Sequence, residues 1–379
     1  MKKIGIVAGE KSGDYLGSEL IKSIKRRYPD AEFIGLAGPL MQEQGAVSLA
    51  EMDKISIMGI AGALKNLFVI LGIRRKIQQH LLAWQPDVFI GIDVPDFNLS
   101  LEINLKEAGI PTVHYVSPTV WAWRGKRIHK IKRAVNLMLT LFPFEQTFYE
   151  KNNTPVRYVG HPLAKPVIDW QVSNESKQAI NIAPNKKLIA VLPGSRSSEV
   201  SQLAPIMLEA CTRLSNKYSG LQFVIPAANE KLYRFLTEEL HSDDTVVNVI
   251  QGHSRDVLAS AHVAILASGT AALEAALFAK PMVVMYKVSQ FEEWYAARTM
   301  VVKHFSMPNH LTNPPIVKEL IQSDATVENA VAEVSRLLDN QRYYESMQNA
   351  LSAIAPALSE ESGELVCDAI EQLLAEKQT

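Results

Sequence analysis

The chain of 379 residues is 47% hydrophobic and 21% charged. That balance excludes a disordered chain, a collagen-like repeat and a long coiled coil, and the length allows about two to three domains. Against 39 Lys and Arg stand 40 Asp and Glu, a formal charge of −1, so the molecule as a whole lacks the signature of a nucleic-acid-binding protein.

Met1-Lys2-Lys3 runs directly into Ile4–Ala8, an apolar stretch too short for a signal sequence. The two cysteines, Cys211 and Cys367, form no metal or redox spacing and point to a reducing, cytosolic compartment. Short apolar runs at 4–8, 33–36, 88–92, 112–116 and 137–141 alternate with longer stretches whose apolar residues are spaced for helices. Near-continuous apolar strands between helices predict a parallel sheet covered on both faces. The pattern restarts at 188–192, 223–225, 246–250, 263–267 and 282–285, which predicts two successive doubly wound α/β units. A polar stretch from Asp169 to Lys187 lies between them, with the linker near 162–172. After Pro315 the pattern reads as helical to the end, Pro356 separating one helix from the last.

Charge divides unevenly between the halves. Residues 1–160 hold 21 Lys and Arg against 15 Asp and Glu, and the remainder holds 18 against 25. A basic first half suits anionic phosphates or an anionic bilayer, and an incidental scatter of surface charge gives the same count. No segment approaches the roughly 20 apolar residues of a spanning helix. The nearest, 67–73, ends at Arg74-Arg75-Lys76. Across Ile55–Ile73, the residues Leu64, Leu67, Phe68 and Leu71 fall at helical spacing on one side. A second segment, Arg124–Arg133, reads as a basic helix that includes Arg124, Lys126 and Arg127. An apolar patch bordered by cations is the design of a peripheral membrane protein; a buried helix and a solvated face account for the two segments equally well.

Ligands of open parallel sheets collect beyond the carboxyl ends of the strands, and the loops there are unusual. The first, around Gly9-Glu10-Lys11-Ser12-Gly13-Asp14, lacks the glycine that a P-loop needs before its lysine. What remains is a tight turn that carries a carboxylate, Glu10. The loop after 88–92 carries Asp93 and Asp96 beside Asn98. A carboxylate at a strand end is a candidate general base; either aspartate can serve, and Asp96 also suits a helix cap. In the second unit Gly194 admits a ligand to the backbone, Arg196 offers a planar fork to phosphate oxygens, and Ser195 and Glu199 adjoin the start of a helix. Ser268-Gly269-Thr270 repeats that logic at another strand end, with Glu274 one turn into the helix and able to accept both ribose hydroxyls. Together the two loops argue for a nucleotide diphosphate site. Neither Asp-x-Asp nor a His-Glu-x-x-His zinc motif occurs.

Read together, these loops resemble the lipid-A-disaccharide synthase family. The resemblance rests on Ala8-Gly9-Glu10 with Ser12-Gly13-Asp14, Gly91-Ile92-Asp93 with Pro95-Asp96-Phe97-Asn98, His114–Pro118 with Trp121–Arg124, Leu192–Arg196 with Glu199-Val200, and Ala267–Glu274, which cover residues 1–315 in order. It implies a GT-B glycosyltransferase of two Rossmann-like domains facing across a cleft, with 1–165 binding the acceptor and the membrane, 166–315 binding the donor, and 316–379 forming a helical tail. It implies an inverting transfer without metal or cofactor, from UDP-2,3-diacylglucosamine to 2,3-diacylglucosamine 1-phosphate (lipid X). The implied enzyme is cytoplasmic, peripheral to the inner membrane, and a homodimer with exchanged C-terminal segments. Asp93 corresponds to the family's proposed base, and Glu10 and Asn309 match positions tied to activity. Two other readings use the same nucleotide site: a UDP-sugar epimerase, which needs no apolar patch, and a non-catalytic nucleotide binder at the membrane.

Overall fold

The apolar runs fold as strands. In the first unit β1 (Lys3–Ala8), β2 (Glu32–Leu36), β3 (Ala46–Ser48), β4 (Val88–Ile92), β5 (Thr112–Tyr115), β6 (Leu137–Thr140) and β7 (Val156–Tyr158) pair in parallel, in the order β3-β2-β1-β4-β5-β6-β7. In the second unit β8 (Lys187–Leu192), β9 (Leu221–Ala227), β10 (Val247–Gln251), β11 (Val263–Ala267), β12 (Met282–Tyr286) and β13 (Lys318–Ile321) follow the order β10-β9-β8-β11-β12-β13, also parallel. β4 and β11 are buried at every position, as strands covered by helices on both faces must be. The computed structural model describes the chain apart from residues 57–59, 124, 184, 240–245, 289–301, 361 and 377–379, and it describes no side chains at 56, 60–66 and 239.

Strand order reverses between β1 and β4 in one sheet and between β8 and β11 in the other. Connections leaving such a pair depart over opposite faces and open a crevice beyond the carboxyl ends. The loops at 9–10 and 93–94 meet the first crevice, and those at 193–196 and 268–269 meet the second. All four candidate loops therefore stand at switch points.

The 25-residue helix Ile60–Trp84 changes character along its length. Its second half packs Ile73, Ile77 and Leu81 into a core with Val7, Leu36, Phe89 and Phe97. Its first half turns Leu67, Phe68, Val69 and Leu71 to solvent, with Phe68 85% exposed.

The C-terminal helices divide differently from the sequence expectation of one tail. The chain forms two compact units, Met1–Pro162 with Leu358–Thr379, and Leu163–Ala357. Helix Ser362–Glu376 lies on helix Lys11–Arg27, burying Val366, Cys367 and Ile370. There Arg27 reaches Glu364 and Asp368 at 2.7 Å and Glu371 at 3.1 Å. The stretch after Pro315 is not purely helical, because Lys318–Ile321 adds β13 to the sheet edge. Four residues beginning Lys-Glu are too short and too polar for strand alternation to show. Pro356 lies inside the short helix Ile354–Leu358, in the first turn where its missing N–H costs nothing; the chain leaves helix after Leu358.

Candidate active site

The first crevice is built around an unusual turn. Asp93 and Val94 take successive left-handed conformations, φ +53° and +42°, which is rare for a β-branched residue and is maintained only where the surroundings enforce it. The Asp93 amide donates to the Tyr115 carbonyl at 2.9 Å, which ties the turn to β5. Pro95 then opens helix Pro95–Glu107, its fixed φ suiting the first helical turn. Half-buried Asp93 lines a cavity of about 370 Å³ together with Ser117, Thr119, Trp123 and Arg127.

Asp96 has another task. It does not cap the helix, whose N-cap is Val94; it sits in the first turn and its carboxylate accepts from Arg127 Nη2. Arg127 is thereby drawn to Asp96, whereas Lys126 is exposed. Arg124 lies outside the described residues, as does the side chain of Leu64. Glu10 is the half-buried N-cap residue of helix Lys11–Arg27, in extended conformation. Asp14, from the same motif, is structural. Its buried carboxylate accepts from Leu40 N and Met41 N at 3.0 Å each.

The wall after β5 hangs on one buried acid. Glu145 accepts from Trp121 Nε1 at 3.1 Å and from Phe142 N at 3.2 Å. Trp123 Nε1 donates to Thr119 Oγ1 at 2.7 Å, which folds the loop on itself.

In the second crevice a cavity of about 440 Å³ is lined by Gly194, Ser195, Arg196, Glu199, Ser268, Gly269, Thr270 and Glu274. Gly194 has φ +125°, and a Cβ there would lie 2.8 Å from Glu199 Oε2, so only glycine fits. Arg196 is the N-cap residue of helix Ser197–Lys217. Its side chain is 80% exposed, 3.6 Å from Glu199, and is free to swing to an anion. Gly269 precedes helix Thr270–Leu277, and a Cβ on it would meet nothing within 4 Å. Two helix N-termini thus border the cavity. Ser268 Oγ donates to the Phe305 carbonyl at 3.0 Å. Glu274 Oε1 accepts from Arg255 Nε at 2.9 Å, which leaves its second oxygen for a ligand hydroxyl.

Asn309 is not brought to either cavity wall. It is buried, its Oδ1 accepts from Ile316 N and Val317 N, and its Nδ2 donates to Val317 O and Glu319 Oε1. Every hydrogen bond of its amide is made within the chain, so it braces the approach to β13. Arg255, Gly252 and Ser254 were missed by sequence reasoning, although Gly252-His253-Ser254 after β10 is the same kind of glycine-bearing strand end as the others. Among the described residues no three His, Cys, Asp or Glu side chains gather as a metal-ligand set.

Residues 4–372 match the family model of lipid-A-disaccharide synthetase. The chain belongs to the lipid-A-disaccharide synthase family. It is 46% identical to the lipid-A-disaccharide synthase of Aeromonas hydrophila over 89% of this chain and 90% of that one. It is 41% identical to the synthase of Saccharophagus degradans over 100% and 98%. Among solved structures, the UDP-GlcNAc 2-epimerase of Neisseria meningitidis bound to UDP-GlcNAc superposes with a TM-score of 0.65 at 15% identity, covering 99% of this chain and 100% of that one. The glycotransferase of kitacinnamycin gives 0.66 at 15%, covering 98% of each. Likeness at that identity shows the fold, two Rossmann-like domains of GT-B type. The chain is accordingly a glycosyltransferase of lipid A biosynthesis.

Burial pushes the Glu145 carboxyl up to about 7, against 4.5 in an unfolded chain. The folded state therefore holds this proton more tightly than the unfolded one. Its contribution to stability is complete below pH 4.5 and is lost as pH rises through 7, on the order of 3 kcal/mol. Thermal melts at pH 5 and pH 8 should show that fall in the parent, and Glu145→Gln should flatten it.

Proposed function

We propose that the chain transfers 2,3-diacylglucosamine from UDP-2,3-diacylglucosamine to the 6-hydroxyl of lipid X, forming a β-1,6-linked disaccharide 1-phosphate and UDP. Asp93, held at the first switch point on the wall of its cavity, is the observation that carries the reading. A sugar hydroxyl is a poor nucleophile, so a carboxylate must take its proton as the oxygen attacks the anomeric carbon; a positioned base contributes roughly a hundredfold to ten-thousandfold. The bond from that carbon to the diphosphate breaks on the opposite face, which inverts the centre. Asp93 takes this role rather than Asp96, because Asp96 is already engaged by Arg127. Charge gathers on the departing UDP, where Arg196 and the two helix N-termini of the second unit supply opposite partial charge, and the open oxygen of Glu274 accepts from the ribose.

Membrane association is part of the proposal. No described helix is long and apolar enough to cross a membrane, yet Leu67, Phe68, Val69 and Leu71 present apolar surface beside exposed Arg75 and half-buried Arg74. This supports a cytoplasmic enzyme seated on the anionic inner membrane, where the acyl chains of both substrates reside. The homodimer implied by the resemblance belongs to the same reading.

Incubation with both acylated substrates and mass detection should yield the disaccharide, and Asp93→Ala should lower turnover by roughly two to four orders of magnitude. Conversion of the nucleotide sugar alone would instead reveal an epimerase, and retained activity in Asp93→Ala with loss in Asp96→Ala would transfer the base role to Asp96. Arg196→Ala and Glu274→Ala should each weaken UDP binding by calorimetry, with turnover unaffected by chelator. Serine at Leu64, Leu67, Phe68 and Leu71 should release folded protein from membranes in a sedimentation assay with its melting curve preserved. Unfolding would identify the segment as core, and sedimentation velocity on the released protein reads whether two copies associate.

A further inference from the structure

Behind Asp93 lies a buried polar cluster that the proposed reaction does not use. Asn98, Glu102 and His114 are completely buried. Asn98, in the first turn of helix Pro95–Glu107, donates from Nδ2 to the Asp93 carbonyl at 2.8 Å; the Ile92 carbonyl lies at 3.3 Å and that of Val7 at 3.5 Å. One side chain thus reaches the ends of both strands that flank the switch point. One turn along the helix, Glu102 Oε1 meets His114 Nδ1 at 2.7 Å. His114 is the partner of Gly91 in the β4–β5 ladder. A Cβ on Gly91 would lie 2.2 Å from Glu102 Oε1 and 3.0 Å from Asn98 Cβ and Cγ. Glu102 and Asn98 therefore close on the backbone two residues before Asp93, and the glycine is what admits them.

Apolar side chains would fill this space without desolvating any polar group. Instead Asn98 Oδ1, Glu102 Oε2 and His114 Nε2 are buried with no protein partner among the described residues, which opposes folding. Hydrogen bonds supply what apolar packing cannot, a fixed direction. The direction fixed here is that of the left-handed Asp93–Val94 turn, a conformation disfavoured for both residues.

We propose that Asn98, backed by the Glu102–His114 pair against Gly91, is a positioning residue that holds Asp93 in register for proton transfer. The inference rests on Asp93 as the base. Misplacement of a reacting group by about an ångström can cost a hundredfold in rate. Asn98→Ala should therefore lower kcat by at least about tenfold, with both KM values and UDP affinity within about twofold of the parent.

The decisive comparison is non-additivity. In an Asp93→Ala background the substitution of Asn98 should change kcat by less than about twofold, since a positioning residue has nothing left to position. Glu102→Gln, which keeps shape and volume, should follow the same pattern with a smaller loss. Equal losses with and without Asp93, or a raised KM for the donor, would overturn the proposal. So would failure of both variants to fold, which would assign the cluster to stability alone. Should Asp93→Ala itself retain turnover, the base reading falls; should only the non-additivity be missing, the base reading stands and the positioning role falls.

Discussion

A parallel sheet covered by helices on both faces leaves little surface for chemistry. Its faces are occupied by packing and its inner strand edges by hydrogen bonds, so backbone groups remain available chiefly where connections leave the carboxyl ends. Reversal of strand order at β1/β4 and at β8/β11 decides which of those ends stand apart. Among the described residues the candidate site loops gather at these two places: the Asp93 turn at one, and Gly194, Arg196 and Gly269 at the other.

The same topology presents a different set of groups at each switch point. At the first switch point the chain presents carboxylates, with Asp93 on a left-handed turn and Glu10 at a helix entrance. The second presents positive partial charge, from two helix N-termini and an arginine that is largely in solvent. The turn that carries Asp93, the candidate base, is tied to β5 through the Tyr115 carbonyl and to the following helix through Asn98. The candidate anion ligand Arg196 is by contrast largely exposed, with only a loose pairing at 3.6 Å to Glu199. Local sequence thus decides which group is tied to the scaffold and which stands in solvent.

Much of this was legible from pattern. Buried parallel strands write themselves as unbroken apolar runs, so ten of the thirteen strands among the described residues can be read from the sequence. β3, β7 and β13 cannot, because these edge strands are only three or four residues long and partly solvent-facing, and β7 and β13 also carry charge. Motif residues sort less well than motifs do. Asp14 and Asn309 both fall on motifs that the sequence singles out, yet Asp14 spends its carboxylate on neighbouring backbone and Asn309 its amide on backbone and Glu319. A sequence shows that a polar residue stands at a strand end; it does not show whether its hydrogen bonds point inward or out. Arg255 was invisible for the converse reason, since its link to Glu274 joins positions that only the folded chain brings together.

The fold alone leaves the reaction open. A UDP-GlcNAc 2-epimerase and a glycosyltransferase superpose about equally well, each at 15% identity. The cavity of the second unit does not separate them, because the proposed transfer and an epimerisation would each hold a nucleotide sugar there. What separates them is the rest of the first unit. An enzyme acting on a water-soluble nucleotide sugar alone has no use for a helix whose first half turns Leu67, Phe68, Val69 and Leu71 to solvent, at a cost in hydration that burial would have avoided. The second half of that helix, through Ile73, Ile77 and Leu81, packs in the same core as Val94 and Phe97, on either side of the Asp93 turn's exit. One helix therefore joins exposed apolar surface to the packing around the candidate base, which is the continuity that the proposed transfer to a lipid-borne acceptor calls for.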